Sequence, residues 1–191
     1  MSVSELSTST QNYLKAIWGL KEWSSEPVTA TLIAKQLGLK LSSVSDAVRK
    51  MAKQGLVSHT PYGSVELTEL GRQYALVMVR RHRLLESFLV QALGYTWDEV
   101  HNEAENLEHA VSDMLIERVD KFLDYPTRDP HGDPIPTVDG QITIPSAHRL
   151  TDSGAQSQVT VERISDSDPQ LLKFLEERGI VTGAVLSTRE G

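Results

Sequence analysis

The sequence predicts a mainly α-helical protein, interrupted near residue 60 by one short β-hairpin and closed by a small β-rich segment. Three observations carry this. Apolar residues recur at helical spacing as far as Asp124. Two short β-prone runs, 56–60 and 65–68, flank a Pro/Gly turn at Pro61–Ser64. From Gln141 the pattern changes to short β-prone runs separated by glycine and serine.

The first helix is expected over Ser7–Trp23, with Tyr13, Leu14, Ile17 and Leu20 on one face and Ser7 or Thr8 as cap. Ser24-Ser25-Glu26-Pro27 breaks it. Thr29 then caps a short helix, Ala30–Leu37, which turns Leu32, Ile33 and Leu37 inward and stops at Gly38. Ser42-Ser43 is an N-cap candidate for a helix reaching Gln54, with Val44, Ala47, Val48 and Met51 as its buried stripe. Two short helices joined by a tight turn form a helix-turn-helix pattern, and the hairpin that follows is a wing. Thr68 opens a long helix to Leu93, ended by Gly94. Asp98–Asp124 reads as helical, in one piece or two, and the proline-rich stretch 125–136 as a loop. Strands are expected at 159–161, 180–181 and 184–186, with a helical turn at Leu171–Glu177. The expected domains are a winged helix-turn-helix over 1–70, a helical domain over 71–140, a polar linker over 141–158 and a β segment over 159–191.

Composition narrows the function classes. At 39% hydrophobic and 24% charged residues the chain reads as an ordinary globular protein. The absence of cysteine excludes a disulfide framework, a thiolate zinc site and a cysteine nucleophile. No apolar run reaches the ~20 residues of a bilayer span, and the start lacks a secretory signal, so the expected location is the cytoplasm with no membrane partner. The net charge of −7 is segregated. Between Lys35 and Lys53 stand Lys35, Lys40, Arg49, Lys50 and Lys53 against the single acid Asp46, whereas acids dominate between Glu86 and Asp124. One part suits phosphate and the other suits cations.

The segment His101–His109 is the most informative. On a helix His101, Glu105, Glu108 and His109 are spaced by three or four residues and share a face. A bare carboxylate stripe repels itself; interleaved with imidazoles it matches a divalent cation, which neutralises the acids and accepts ring nitrogen. The preceding helix offers His82 and Glu86 at the same spacing, and two antiparallel helices can bring the pairs together. A single His/Glu pair of this kind is commonly a solvated face; two on consecutive helices shift the balance toward metal.

The strings Tyr13-Leu14-Lys15-Ala16-Ile17, Leu67-Thr68-Glu69-Leu70-Gly71-Arg72, Arg81-His82-Arg83-Leu84-Leu85-Glu86, His101…Glu105-Asn106-Leu107-Glu108-His109 and Asp129-Pro130-His131-Gly132-Asp133-Pro134-Ile135-Pro136 closely resemble the diphtheria-toxin-repressor family of metal-dependent regulators. The resemblance covers Ser7–Pro136 and resumes more weakly afterwards. It implies a homodimeric, non-enzymatic repressor that binds palindromic double-stranded operator DNA when Mn²⁺ or Fe²⁺ is abundant and controls metal homeostasis genes. It implies two metal sites per subunit. The ancillary one would use His82, Glu86 and His101. The primary one would use Glu105, Glu108, His109 and, from the first helix, Asn12; a cation held there would fix the orientation of the DNA-reading heads. The last segment resembles the family's SH3-like domain, which can lend ancillary ligands, with Asp168 and Gln170 as candidates; the chain ends sooner than a full domain of that kind. Iron-sensing members carry sulfur at the positions of Glu105 and Asn12. Oxygen donors there suit Mn²⁺ and point to the manganese-sensing branch.

For DNA, the helix beginning near Ser42 is expected to enter the major groove. Lys40, Ser42, Ser43, Ser45 and Asp46 form its front edge, and Arg49 and Lys50 contact phosphates. The wing tip, Pro61–Ser64, carries no Lys or Arg. Three rival readings stay open: an iron(II) repressor of the same family, a helical di-metal hydrolase using His82, Glu86, His101 and Glu105, and a metal-independent DNA-binding or interaction module. His59, His131 and His148 are expected to be solvated, and Trp18, Trp23 and Trp97 to serve core or interface packing.

Overall fold

A computed structural model describes residues 3–60, 63–154 and 157–189. The chain forms two compact units, 1–79 and 80–191.

The first unit is built from three helices, a hairpin and the start of a fourth helix. Helix α1 (Thr8–Glu22) is capped by Ser7, whose hydroxyl accepts from the Thr10 N–H. Helix α2 (Ala30–Leu37) is capped by Thr29 and ends at Gly38, whose φ of 64° is the left-handed conformation that closes a helix at least cost to glycine. Helix α3 spans Leu41–Lys53. It starts before the serines expected to cap it: Lys40 holds the N-cap position with no side-chain cap bond, and Ser42 and Ser43 are exposed inside the first turn. Strands β1 (Val57–His59) and β2 (Val65–Leu67) pair antiparallel as the wing, with Val57 opposite Leu67. Of the wing tip, Pro61 and Tyr62 lie outside the described residues.

These elements enclose one core: Tyr13, Leu14 and Ile17 from α1, Ile33 and Ala34 from α2, Val44, Val48 and Met51 from α3, and Leu56, Val57 and Val65 from the hairpin. Each large apolar side chain so buried contributes roughly 1.5–3 kcal/mol. Two residues depart from expectation. Leu32 points to solvent because Ile33 and Ala34 fill the inner face of the short α2, and Trp23, beyond the end of α1, is 42% exposed.

Helix α4 runs Glu69–Leu93, contributing its residues up to Val79 to the first unit and those from Arg80 to the second. In the second unit it is followed by α5 (Trp97–Leu107) and α6 (Asp113–Phe122). The stretch expected as helical over 98–124 is therefore two helices, the break falling where Ser112 caps α6 through the Leu115 N–H. Leu84, Leu85 and Leu89 pack with Val100, Ala104, Ile116, Val119 and Ile135. Three arginines in succession fasten α4: Arg80 to Asp120 (2.6 Å) and the Pro136 carbonyl, Arg81 to Asp113 (2.6 Å) and the Glu108 carbonyl, and Arg83 to the Pro134 carbonyl (2.6 Å).

The C-terminal segment is small. Strands β3 (Gln158–Thr160) and β4 (Val185–Ser187) pair antiparallel, and α7 (Pro169–Glu176) lies between them in sequence. The expected strand at 180–181 is irregular chain directly after the turn that closes α7, with the Ile180 N–H bonded to the Leu175 carbonyl. Leu172 and Ile164 bury against Trp97 of α5, docking the segment on the helical part. The loop 128–134 joins in. The Ile164 N–H bonds the His131 carbonyl, and Gly132 (φ 88°) lets the Glu162 carbonyl approach to where a Cβ would stand 2.1 Å away. No helix among the described residues is long and apolar enough to cross a membrane.

Candidate metal centre

Four side chains from three elements of the second unit converge. His82 and Glu86 are one turn apart on α4, His101 projects from α5, and Asp166 comes from the loop before α7. His82 Nε2 lies 3.0 Å from Glu86 Oε1 and 3.2 Å from His101 Nδ1. His101 Nδ1 lies 3.3 Å from Glu86 Oε1 and 3.1 Å from Asp166 Oδ2. The two imidazoles meet edge to face, with ring centroids 4.9 Å apart. Two ring nitrogens and a carboxylate oxygen facing one point cannot all be satisfied by a single proton, whereas a divalent ion satisfies all of them; the donor set fits such an ion.

Charges at this point are strongly perturbed. Burial opposes ionisation of Glu86, but the His82 charge and the bonds from the neighbouring histidines outweigh it and hold the carboxyl well below its usual range. Burial would lower His101, yet Asp166 and Glu86 push it up to about 10. Asp166 is likewise held low by His101 against its burial.

A second group adjoins the first. Ligand atoms of His82, Glu105 and Glu108 lie within 4.8 Å of one another. Helix α5 ends at Leu107, so Glu108 is its C-cap and His109 lies beyond; the single helical stripe expected for 101–109 is broken at its end. Glu108 is fully buried, and its Oε2 stands 2.6 Å from His82 Nδ1. His109 Nε2 lies 3.5 Å from Glu108 Oε1, and Glu105 Oε1 lies 3.8 Å from His101 Nε2. In the first unit, Asn12 on α1 keeps a buried Oδ1 with no hydrogen-bond partner among the described residues.

Asp168 and Gln170 do not stand among the clustered ligand atoms. Asp168 is the N-cap of α7, its Oδ1 accepting from the Gln170 and Leu171 N–H groups, which uses its carboxylate locally. Asp166, two residues earlier, reaches His101 instead. The only sequence signal for it is its place in the same Ser165-Asp166-Ser167-Asp168 run. His131, expected to be solvated, is completely buried; His148 is exposed as expected and His59 half-buried. A third group, Glu86 with Asp129 and His131, also has its ligand atoms within 4.8 Å of one another.

In α3, the helix expected to read DNA, Arg49 pairs with Asp46, and Ser45 Oγ donates to the Leu41 carbonyl (2.9 Å). Lys40, Ser42, Ser43, Asp46, Arg49 and Lys50 are exposed and Ser45 is half-buried, on the side of α3 away from Val44, Val48 and Met51.

Comparison with known proteins agrees with this layout. Residues 5–65 match the family description "Iron dependent repressor, N-terminal DNA binding domain", and residues 68–137 match "Iron dependent repressor, metal binding and dimerisation domain". The chain is 35% identical over 194 residues to the iron-dependent repressor IdeR of Mycobacterium tuberculosis (strain CDC 1551 / Oshkosh), covering 95% of this chain and 84% of that protein. It is 38% identical over 134 residues to the diphtheria toxin repressor of Corynebacterium efficiens, covering 70% of this chain and 58% of that protein. Among solved structures, a manganese-dependent transcriptional repressor in complex with manganese superposes with a TM-score of 0.91 at 51% identity, covering 95% of this chain and 83% of that one. ScaR with bound Zn²⁺ superposes with a TM-score of 0.81 at 32% identity, covering 93% and 82%. The chain therefore belongs to the iron-dependent, or diphtheria-toxin, repressor family of metal-dependent transcriptional regulators.

Proposed function

We propose that this protein is a manganese(II)-activated repressor that binds palindromic operator DNA as a homodimer to control metal homeostasis genes. The observation that carries this is the donor set. The converging groups are the imidazoles of His82, His101 and His109 and the carboxylates of Glu86, Glu105, Glu108 and Asp166, with no sulfur among them. Nitrogen and oxygen donors of this kind suit Mn²⁺ better than the softer metals that thiolate and thioether select. The structural neighbour titled as a manganese complex, at 51% identity, supports the same reading.

The residues divide as follows. His82 Nε2, Glu86 Oε1, His101 Nδ1 and Asp166 Oδ2 hold one ion. Glu105, Glu108 and His109 hold the other. Family resemblance adds Asn12 of α1, whose carbonyl oxygen has no hydrogen-bond partner among the described residues. When bound, Mn²⁺ neutralises carboxylates that otherwise repel one another. His82 donates its Nδ1–H to Glu108, which fixes the tautomer and leaves Nε2 as the lone-pair donor, an arrangement common behind metal-binding histidines. In α3, the exposed Ser42, Ser43 and Ser45 lead the helix to base edges, while Lys40, Arg49 and Lys50 supply phosphate contacts. Asp46 orients Arg49.

Iron(II) is the second reading, favoured by the names of the family and of the mycobacterial relatives. Anisotropy of a fluorescent palindromic operator of the family type, titrated with protein in EDTA, Mn²⁺, anaerobic Fe²⁺ or Zn²⁺, decides between them. Tight binding with Mn²⁺ at concentrations where Fe²⁺ is ineffective is expected. Tight binding with Fe²⁺ alone assigns the iron reading, and equal affinity in EDTA removes the metal switch.

A further inference from the structure

His131 is completely buried. Its ring packs edge to face on Trp97, with centroids 5.3 Å apart, and neither ring nitrogen has a hydrogen-bond partner among the described residues. A buried polar ring without a partner is unfavourable unless something else occupies the position. Glu86 Oε2 lies 3.8 Å from His131 Nδ1. That separation is too long for a hydrogen bond. It matches two donors on one divalent ion with bonds of about 2.1 Å. Glu86 Oε2 is itself buried, with no hydrogen-bond partner among the described residues.

The third member, Asp129, is buried beside them. Its Oδ1 accepts the N–H groups of His131 and Asp133, both at 2.9 Å, which pins the loop. Its Oδ2 faces Arg83 Nε at 3.7 Å. Asp133 is paired with Arg163 at 2.5 Å and with Arg83 at 3.4 Å. Glu86 thus presents its two oxygens to two different groups: Oε1 to His82 and His101, Oε2 to His131.

We propose that Glu86, Asp129 and His131 form a further divalent-cation site, with the Glu86 carboxylate bridging it to the ion held by His82, His101 and Asp166. The proposal rests on the metal reading given above for that neighbouring group. Two ions sharing a carboxylate stand roughly 3.5–4 Å apart, the spacing of known two-metal centres.

The test is equilibrium dialysis of the full chain against Mn²⁺. His131→Phe keeps the ring that packs on Trp97 and removes only the donor. It is expected to bind one Mn²⁺ fewer per subunit than the wild type, with the remaining ions retained. Asp129→Asn keeps an oxygen for the two N–H groups and is expected to weaken the same ion at least tenfold, so it decides the matter if His131→Phe does not fold. An unchanged count and affinity in the folded variants overturns the proposal and leaves His131 as the partner of a buried ion pair. In that case His101→Ala, which should remove the neighbouring ion, shows that the reading above still stands. No Mn²⁺ bound by the wild type overturns both.

Discussion

His82 Nδ1 lies 2.6 Å from Glu108 Oε2, with both side chains buried, and this contact joins two groups that family resemblance assigns to separate metal sites. His82 turns its other nitrogen to Glu86 and His101. The imidazole therefore touches both groups, one ring nitrogen to each.

Glu108→Gln is the direct test of that connection. Loss of the carboxylate takes an anionic donor from one group and leaves His82 Nδ1, in the other, facing a neutral amide in place of a charged acceptor. Mn²⁺ affinity is expected to fall about 10–100-fold at both sites. Calorimetric titration that shows only one site weakened would mean the two are independent.

Asp166 and Asp168 are predicted to separate cleanly. Asp166→Asn should weaken Mn²⁺ binding and, in EDTA near neutral pH, also lower thermal stability, because it removes the carboxylate that favours protonated His101. Asp168→Ala should cost about 1 kcal/mol of stability through loss of the α7 cap and leave Mn²⁺ affinity within a factor of two. Paired melts and metal titrations of the two variants check this.

The metal-free protein should show a His101-dependent stability with a defined pH window. His101 is raised in the folded state to about 10, from 6.5, by Asp166 and Glu86 against its burial. A raised folded value means the contribution is complete below about pH 6.5 and disappears as pH climbs to about 10. The stability difference between wild type and His101→Gln in EDTA, from urea unfolding, should therefore shrink steadily across that range. Mn²⁺ must displace the same proton, so its binding should strengthen with pH over the same interval.

Lys50 is exposed near the end of α3, the helix proposed to read DNA. Lys50→Ala is expected to weaken operator and non-operator DNA by similar factors and to reduce the slope of log K against log salt by about one, as for a lost phosphate contact. Ser43→Ala, by contrast, should affect operator binding more than non-specific binding. Anisotropy titrations at several salt concentrations distinguish the two outcomes.

Gly132 holds a φ of 88° with the Glu162 carbonyl where a side chain would stand. Gly132→Ala is expected to destabilise the second unit by about 1–3 kcal/mol, through strain and loss of the loop's close approach to 162–164. A lowered Tm in EDTA, with α-helical content retained, is the expected reading.

Local sequence determined the elements, because each is set by interactions a few residues long. The Thr29 cap, the Gly38 stop, the apolar stripe of α3 and the Pro/Gly turn of the wing all specify structure within their own windows, and the observed bounds agree to within a residue or two. The same holds for His82 with Glu86 and for His101 with Glu105, whose spacing places each pair on one helix face. What only the tertiary structure decided are the contacts across elements. Asp166 meets His101 because α7 docks through Leu172 on Trp97, a packing event with no local signature. His131 is buried because the Ile164 N–H and the Gly132 turn draw its loop beneath the C-terminal segment, although its neighbours Pro130 and Gly132 read as an exposed turn. A helix or turn follows from bonds between near neighbours, whereas the partner of a buried charged or polar group depends on which distant surface packs over it.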